Sequence, residues 1–211
     1  MPNSPQLSAT GLGCRRGRRR LFADLNLRLG AGQMLQVSGR NGSGKSTLLR
    51  TLCGLTRPES GVVAWRDAPV RANRDAFNAE LLYLGHAAAL KDDLSASENL
   101  VAALEMAGQP QAVPEAARVL DDLGLASCAA LPARLLSQGQ RRRVALARLW
   151  LCHSVPLWVL DEPFVALDAE ATEMLRQLLA AHLQNDGILV LTTHQEVDVA
   201  PDRTQRLLLG A

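Results

Sequence analysis

Aromatic residues are scarce in this chain of 211 residues, where phenylalanine, tryptophan and tyrosine together make up 3%. Proteins that read single-stranded nucleic acids depend on aromatic side chains that stack on successive bases. The scarcity therefore argues against a nucleic-acid reader of that type, and we expect no nucleic acid among the partners.

Long apolar runs are also missing. No stretch of 18 apolar residues without a charge occurs, and the first residues, MPNSPQLSAT, lack the basic-then-apolar order of a signal peptide. The cysteines show no paired spacing typical of a metal site; they are Cys14, Cys53, Cys128 and Cys152. We therefore expect a chain without a membrane span of its own, in a reducing cytoplasm, with buried thiols.

The charge balance is close to neutral, because the formal net charge is +2. With 47% hydrophobic residues, the chain is able to bury one substantial core. One dense run of charge, RRGRRR, surrounds Gly17 and consists of Arg15, Arg16, Arg18, Arg19 and Arg20. The run is either a solvated hairpin turn or a surface for anionic lipid headgroups or a nucleotide.

Hydrophobic patterning predicts the order of secondary structure. Alternating apolar residues between Leu21 and Leu29, including Ala23, predict a half-buried strand, and MLQVSG at 34–39 predicts a strand followed by a helix that ends near Gly54. Helix formers broken by glycine and proline predict several short helices between about 87 and 149. Strand LWVL, a helix over 169–183 and strand ILVLTT follow. The predicted fold is α/β, with parallel strands, crossover helices and a helical insertion.

A glycine-rich loop follows the MLQVSG strand. The segment GRNGSGKS matches the pattern G-x-x-x-x-G-K-[ST] between a strand and a helix. Its backbone turns need glycines, which are Gly39, Gly42 and Gly44. These turns aim amide groups at phosphate oxygens, and the helix start adds a positive end. We expect Lys45 to contact the β- and γ-phosphates, Ser46 to bind magnesium and Thr47 to contact the α-phosphate.

Two adjacent carboxylates end the predicted strand in PLWVLDEP at 156–163. Such a strand end places Asp161 at the magnesium ion and Glu162 beside the water that attacks the γ-phosphate. An acidic turn without a catalytic role is the alternative, and the glycine-rich loop argues against it. Together the two motifs predict nucleotide hydrolysis.

The segment LSQGQRRR at 136–143 predicts the start of a helix. Ser137 and Gln140 have the spacing of a capping box, so the free amides and positive end of the helix dipole point outward. Gly139 allows close approach of the backbone, and Ser137 offers a hydroxyl group to an anion such as a γ-phosphate. Taken alone, the segment is explained equally well by a capped helix that binds no ligand.

The ordered set GRNGSGKS, LSQGQ, LWVLDEP, ALD at 166–168 and His194 after ILVLTT resembles the ATP-binding cassette family over nearly the whole chain. The resemblance implies a P-loop NTPase core over 1–86 and 143–211, with a mostly parallel sheet, flanking helices and an antiparallel β subdomain. It also implies an inserted α-helical subdomain over 87–142. Two copies would pair head to tail and enclose two ATP molecules with Mg²⁺.

The same resemblance assigns roles to further residues. Besides the loop residues above, the residues implied to contact nucleotide are Asn41, Ser43, Ser137, Gly139, Gln140 and Asp168. Ser137 would contact a nucleotide held by the second copy, and Asp168 would lie in the loop that crosses the dimer interface. His194 would contact the γ-phosphate and help to position Glu162 or the water. The expected catalytic residues are Lys45, Glu162 and His194.

Three positions depart from the usual cassette pattern. His86 stands where cassettes carry a glutamine that senses magnesium and water, and imidazole can exchange hydrogen bonds with water and titrate near neutral pH. We expect a magnesium-linked coupling residue there; a structural role is the alternative. Arg16 stands where an aromatic ring stacks on adenine, and a guanidinium plane can stack on a base. Gln138 stands where the family commonly has glycine, and we expect it to be tolerated.

A narrower resemblance follows from YLGHAAALKDDLSASENL, RRVALARLWL and LTTHQ. These segments are similar to the ATP-binding subunits of cytochrome c maturation systems, which are described as haem exporters. The resemblance implies a peripheral protein on the cytoplasmic face of a bacterial inner membrane, bound to polytopic membrane subunits and indirectly to a haem chaperone. The sequence contains no C-x-x-C-H motif, so we expect the partners to handle any haem.

Other functions remain as alternatives. A different ABC exporter would share the cassette motifs. A soluble cassette of DNA repair or translation would need a second cassette or a long coiled-coil insertion, and 211 residues contain neither. A P-loop small-molecule kinase would leave LSQGQ, Asp168 and His194 without a role.

Overall fold

The computed structural model describes residues 6–193 and 198–210. The strands are β1 (Gln6–Arg16), β2 (Arg19–Gly30), β3 (Met34–Gly39), β4 (Ser60–Trp65), β5 (Ala68–Pro69), β6 (Leu81–Leu84), β7 (Leu157–Asp161), β8 (Ile188–Thr192) and β9 (Thr204–Leu209). The α-helices are α1 (Lys45–Leu52), α2 (Arg74–Ala79), α3 (Ala96–Met106), α4 (Ala116–Asp122), α5 (Gln138–Leu151) and α6 (Ala169–Gln184). The strand predicted at 34–39 and the helix predicted over 169–183 are confirmed.

The strands form two sheets. One has the order β2–β1–β4–β5 with antiparallel neighbours. The other has the order β6–β7–β8–β3–β9, in which β7 and β8, β8 and β3, and β3 and β9 run parallel. Parallel neighbours need crossover connections, and helices provide them here. The predicted combination of a mostly parallel sheet, flanking helices and an antiparallel sheet is confirmed.

The chain divides into two compact units. The first lies within Met1–Tyr83, Val155–Pro163 and Leu179–Ala211, and the second within Leu84–Ser154 and Phe164–Leu178. The predicted helical region, 87–142, falls inside the second unit. That unit also contains 143–154 and 164–178, which were assigned to the predicted core, and the predicted boundaries stay a prediction.

A cluster of buried apolar residues lies in the first unit, and α1 and strands of both sheets contribute most of its members. Beside it, the rings of Trp158 and His182 stack with centroids 3.8 Å apart. The Nε2 atom of His182 lies 3.3 Å from the carbonyl oxygen of Ile188. Burial lowers the pKa of His182 to about 4, because a charged imidazolium is poorly solvated there. This histidine is therefore a neutral packing residue at physiological pH.

One side chain that was expected to point inward points outward. Ala23 is exposed, and its neighbour Phe22 is buried. Leu12 pairs with Leu25 and Cys14 pairs with Phe22, so β2 has one extra residue between these pairs. Such a β-bulge reverses the alternation of side chains, which an alternating sequence pattern alone does not reveal.

The second unit contains the predicted short helices α3, α4 and α5. Both α3 and α5 begin with a capping box, formed by Ser95 with Glu98 and by Ser137 with Gln140. All four cysteines of the chain are buried and free, as expected. Within 6–193 and 198–210, no helix is both long enough and apolar enough to cross a membrane.

Candidate functional site

The predicted phosphate loop and acid pair begin at the same edge of the parallel sheet. Thr192, the last residue of β8, pairs with Val37 of β3 on one side and with Asp161 of β7 on the other. The loop that follows β3 and the turn that follows β7 therefore leave the sheet on either side of Thr192. The carboxyl ends of parallel strands are the usual place for a ligand in such sheets.

Lys45 holds the phosphate loop in a curled conformation. Its side chain is buried, and its Nζ donates to the carbonyl oxygen of Gly39 at 2.9 Å. The amide of Ser43 donates to the carbonyl oxygen of Arg40 at 3.1 Å, which closes the turn between them. Asn41 is exposed at the outside of this turn. The ammonium group of Lys45 is thus held against the first residue of the loop, beside backbone turns of the kind that bind phosphate.

Two glycines of the loop are required by their conformation and surroundings. Gly39 has φ 144° and Gly44 has φ 108°, in the region of positive φ that glycine tolerates best. A Cβ atom on Gly39 would collide with the carbonyl oxygen of Leu209, and one on Gly44 would lie 3.0 Å from Cβ of Leu21. Strands β9 and β2 therefore shape the loop from two sides.

Ser43 adds a buried hydroxyl group to the loop. It is 4% exposed, and its Oγ has no hydrogen-bond partner among the described residues. A buried hydroxyl without a partner is costly, so a ligand oxygen would stabilise it. Ser46 and Thr47, in the first turn of α1, are half-buried. Gly42, at φ 76°, is exposed.

Thr192 connects the two acidic residues, a role that the sequence reading missed. Its hydroxyl donates to Oδ1 of Asp161 at 2.7 Å and accepts from the amide of Glu162 at 2.8 Å. Asp161 is 1% exposed, and Thr192 is fully buried. Glu162 has φ 51°, a left-handed conformation that is strained for a non-glycine residue. This strained turn ends the strand, so the two carboxylates do not follow strand alternation.

In the second unit the predicted capping box at the start of α5 is confirmed. The hydroxyl of Ser137 accepts from the amide of Gln140 at 3.2 Å, and Oε1 of Gln140 accepts from the amide of Ser137 at 2.8 Å. Ser137 is exposed. A Cβ atom on Gly139 would lie 3.0 Å from the carbonyl oxygen of Ala166, so a glycine permits close packing of the 164–168 loop.

The arginines that follow LSQGQ hold α5 to other segments of its unit. Arg141 forms an ion pair of 2.8 Å with Asp92. Arg142 is buried, and its Nη1 donates to the carbonyl oxygens of Gly85 and His86 at 3.1 and 3.4 Å. The helix is therefore linked directly to the backbone of the predicted coupling residue. The sequence did not predict this role of Arg141 and Arg142, because their partners are distant in sequence.

Asp168 serves as a helix cap in this structure. Its Oδ1 accepts from the amide of Ala171 at 2.8 Å, and its carbonyl oxygen accepts from the amide of Thr172 at 3.0 Å, at the start of α6. Its Oδ2 lies 4.0 Å from Nη1 of Arg143, which also donates to the carbonyl oxygen of Leu123 at 3.2 Å. The local role of Asp168 is thus to fix the 164–168 loop.

The predicted residues fall into two groups. The first unit brings together the phosphate loop with Asp161 and Glu162, and it places Arg16 at the exposed end of the β1–β2 hairpin. The second unit contains His86, which is exposed, the start of α5 and Asp168. His194 lies outside the described residues. In the described part of the chain, no group of three or more His, Cys, Asp or Glu side chains is arranged to hold a metal ion.

Comparison with known sequences agrees with the resemblance to the ATP-binding cassette family. The profile of the family described as ABC transporter matches residues 22–165. The cytochrome c biogenesis ATP-binding export protein CcmA of Dechloromonas aromatica is 46% identical over 204 residues, which are 97% of this chain and all of that protein. The protein of the same name from Albidiferax ferrireducens is 44% identical over the full length of both. That from Aromatoleum aromaticum is 48% identical over 94% of this chain and 92% of its own.

Solved structures with the same fold include an ATP-binding subunit of an ABC transporter, with a TM-score of 0.82 and 21% identity. The similarity covers 97% of this chain and 88% of that one. A dimeric ATP-binding cassette in a post-hydrolysis state, bound to ADP and Pi, has a TM-score of 0.80 and 23% identity over 97% of both chains. These similarities confirm the P-loop cassette fold.

Proposed function

Because the chain belongs to the ABC transporter family of ATPases, and within it to the cytochrome c biogenesis ATP-binding export proteins, we propose that it powers a membrane complex of cytochrome c biogenesis. The complex would export haem or release a haem-loaded chaperone at the expense of ATP. The observation that carries this proposal is the identity of 44–48% to three export proteins along nearly the whole chain.

The proposed site for ATP lies in the first unit. Loop amides and the ammonium of Lys45 would bind the β- and γ-phosphates, and Thr47 would contact the α-phosphate. The contact between Lys45 and the carbonyl oxygen of Gly39 supports this role, because it keeps the ammonium inside the loop before a ligand arrives. The buried hydroxyl of Ser43 supports it as well, because a phosphate oxygen would supply the partner that the chain does not.

The oxygen donors near the loop fit Mg²⁺, which prefers carboxylate, hydroxyl and phosphate oxygens. The hydroxyl of Ser46 and the carboxylate of Asp161 would hold the ion. When bound, Mg²⁺ neutralises charge on the transferring phosphate. The hydrogen bond from Thr192 fixes the orientation of the Asp161 carboxylate and so supports this assignment. His86 stays a proposed magnesium-linked coupling residue, and its backbone is held by Arg142.

Hydrolysis would use Glu162 as the general base. Its carboxylate would accept a proton from the water that attacks the γ-phosphorus, while the bond from phosphorus to the bridging oxygen breaks and ADP leaves with inorganic phosphate. The Glu162 amide donates a hydrogen bond to the hydroxyl of Thr192, and the Glu162 backbone is strained. Together they fix the backbone position from which the Glu162 side chain extends. His194 is proposed to help position Glu162 or the water.

The start of α5 is proposed to act on a nucleotide held by a second copy. Ser137, Gly139 and Gln140 would face the γ-phosphate of that nucleotide in a head-to-tail dimer, and Asp168 would lie beside the interface. The first amides of a helix have no acceptor within the helix, so they suit an anion. The capping box and the ties from Arg141 and Arg142 support the proposal, because they fix the direction of this helix start.

The partners proposed for this chain are polytopic membrane subunits of a cytochrome c maturation complex and, through them, a haem chaperone. The location proposed is the cytoplasmic face of a bacterial inner membrane, as a peripheral subunit. The names of the three relatives support both proposals.

The test is affinity purification of the Glu162→Gln variant with ATP from gently solubilised membranes of the native host, with identification of the co-purifying proteins and a haem absorption spectrum. We expect small polytopic subunits and a haem chaperone in stoichiometric amounts. Lys45→Ala serves as the control, because its weaker ATP binding should reduce ATP-dependent capture. Recovery of an unrelated permease with the Glu162→Gln variant would refute the role in cytochrome c biogenesis while leaving the ATPase assignment in place.

A further inference from the structure

A small apolar pocket opens in the first unit, at the end of α1 that lies away from the phosphate loop. Thr51, in the last turn of α1, forms part of its wall. The apolar lining residues come from the segment before β4, from β4 and from the end of β5, and they are Pro58, Val62, Val63, Pro69 and Val70. The pocket has a volume of about 140 Å³, close to that of an apolar cavity of about 150 Å³ that accommodates benzene. It therefore has room for one aromatic or branched side chain.

The apolar surface at this pocket stays uncovered in the chain. Val62 lines the pocket and is 52% exposed. A Cβ atom on Gly54 would lie 3.6 Å from Cγ2 of Val70, so the next residue, Leu55, begins beside the pocket, and it is 57% exposed. Single exposed apolar residues are common on protein surfaces, but a concave apolar site with exposed apolar residues beside it is typical of an interaction site.

The sheet beside the pocket has an edge that is only partly covered. β5 has two residues and pairs with Ala64 and Trp65, at the end of β4. Ser60 and Val62, earlier in β4, pair with β1 on one side, and no strand of the described residues pairs with their other side. A free strand edge of this kind accepts an extended peptide through backbone hydrogen bonds.

Two arginines border the pocket. Arg71 is one of its lining residues, and Arg57 directly precedes Pro58. Both are exposed, and no group in the described part of the chain forms a hydrogen bond or an ion pair with either guanidinium group. The nearest acidic residue in sequence, Glu59, is already paired with Arg15 at 3.0 Å. A guanidinium group in this position suits a carboxylate, which it can bind through two parallel hydrogen bonds.

We propose that this pocket binds an acidic, extended segment of a partner protein. One aromatic or branched apolar side chain of the segment enters the pocket, and a neighbouring carboxylate pairs with Arg71. The strand edge favours a peptide over a small molecule, because only an extended backbone can pair with the outer side of β4. The two arginines repel a basic segment and attract an acidic one. The site lies at the opposite end of α1 from Lys45, so it does not use the proposed nucleotide site.

The test is fluorescence anisotropy of a labelled pentapeptide, with two glutamates on each side of a central phenylalanine, titrated with the full chain. We expect this peptide to bind about ten- to thirtyfold more tightly than the same peptide with a central alanine, because the phenyl ring leaves water. A peptide with lysines in place of the glutamates should show no measurable binding. Equal affinities of the phenylalanine and alanine peptides overturn the proposal, and so does a lysine peptide that binds as tightly as the glutamate peptide.

Two matched pairs of variants locate the binding. Arg71→Ala should weaken binding of the phenylalanine peptide about tenfold, because a charge-assisted contact is lost. Arg206→Ala removes an exposed arginine of β9 in the same unit and should leave the affinity unchanged. Val62→Asp should weaken binding at least as strongly as Arg71→Ala, whereas Leu208→Asp, at a similarly exposed apolar residue of β9, should not. Equal effects within either pair would contradict binding at this pocket.

Methyl NMR spectra of the wild-type chain with labelled valines do not depend on any variant. The methyl signals of Val62, Val63 and Val70 should shift during titration with the phenylalanine peptide. Shifts confined to other valines would place the peptide elsewhere and overturn the proposal.

A second copy of the chain is the other protein that could occupy the pocket. Sedimentation velocity without peptide tests this occupant, and we expect Arg71→Ala and Val62→Asp to leave the association state of the chain unchanged. Self-association of the wild type that both variants abolish would assign the pocket to a second copy and overturn the proposal of an acidic partner segment.

Discussion

The two units hold their functional residues in opposite ways. In the first unit, Lys45, Asp161 and Thr192 are buried, and their polar atoms bond to neighbouring backbone or to each other. In the second unit, Ser137 and Asp168 are exposed, and their side chains cap the helices that they precede. The first arrangement is organised before a ligand arrives, whereas the second exposes the start of a helix, which we propose to face a nucleotide held by a second copy.

This difference has an energetic consequence. Removing a buried polar group leaves its partner without a hydrogen bond, which costs stability as well as function. Removing an exposed cap costs one helix contact and leaves the rest of the fold intact. Substitutions in the first unit should therefore combine losses of stability and activity. Substitutions at the start of α5 should reduce activity much more than stability.

The largest expected effect is that of Glu162→Gln on turnover. The variant keeps the shape of the side chain and its backbone contact with Thr192, but it no longer accepts a proton. We expect ATP turnover to fall by roughly 10²- to 10⁴-fold, the usual contribution of a general base, while ATP affinity is kept and a nucleotide-bound dimer accumulates. Phosphate release and light scattering measure these effects. Turnover at the wild-type level would remove Glu162 from the role of base.

Lys45→Ala should weaken ATP binding by roughly 10- to 100-fold, because a charge-assisted contact with the phosphates is lost. Isothermal titration calorimetry measures the dissociation constant. Lys91→Ala is the matched control, since Lys91 is the other lysine of the sequence and is exposed in the second unit. An equal dissociation constant for Lys45→Ala and Lys91→Ala would contradict the proposed phosphate contact.

Thr192→Val tests whether the acid pair is organised from within the sheet. The change preserves shape but leaves Oδ1 of Asp161 and the amide of Glu162 without the threonine hydroxyl, so we expect a loss of about 2 kcal/mol in the free energy of unfolding. Turnover should fall together with stability. Urea denaturation and ATPase assays provide the two values.

Thr192→Ser is the control for this prediction. It keeps the hydroxyl and loses one methyl group, so turnover should stay close to that of the wild type, with a loss of stability of about 1 kcal/mol. If serine and valine reduce turnover equally, the hydroxyl does not position the acid pair.

The two capping boxes of the second unit provide the last test of the comparison between the two units, and the expected effect on stability is small. Ser137→Ala and Ser95→Ala each remove an N-cap hydroxyl, from α5 and α3 respectively, and each should cost about 1 kcal/mol in the free energy of unfolding. Only Ser137→Ala should also reduce ATP turnover and dimer formation. Equal turnover in the two variants would show that Ser137 is a cap and nothing more.

Local features of the site were predictable from the sequence. The loop between Gly39 and Ser46 and the capping box of Ser137 and Gln140 depend on residues that are close in sequence, and backbone geometry at short range follows from residue type. The strand before the acid pair was predictable for the same reason, because a continuous apolar run bounded by turns indicates a buried strand.

Non-local features were not predictable. The role of Thr192 depends on the pairing of β7 with β8, and the role of Arg142 depends on the packing of α5 near Gly85. Phe22 rather than Ala23 points inward because β2 has a bulge, and this bulge depends on the pairing of β2 with β1. In each case the deciding partner lies at least eight residues away in sequence, and a single sequence carries no direct signal for such a pairing.

The sequence by itself determined the chemistry of this protein: which residues can turn around a phosphate, accept a proton or start a helix, because those properties belong to residue types and short spacings. Only the tertiary structure decided how these groups are oriented. It placed the hydroxyl of Thr192 between Asp161 and Glu162, tied α5 to the His86 segment through Arg142, and set Arg16 opposite Arg19. Orientation depends on strand register and packing between distant segments, and these are fixed when the chain folds and buries its core.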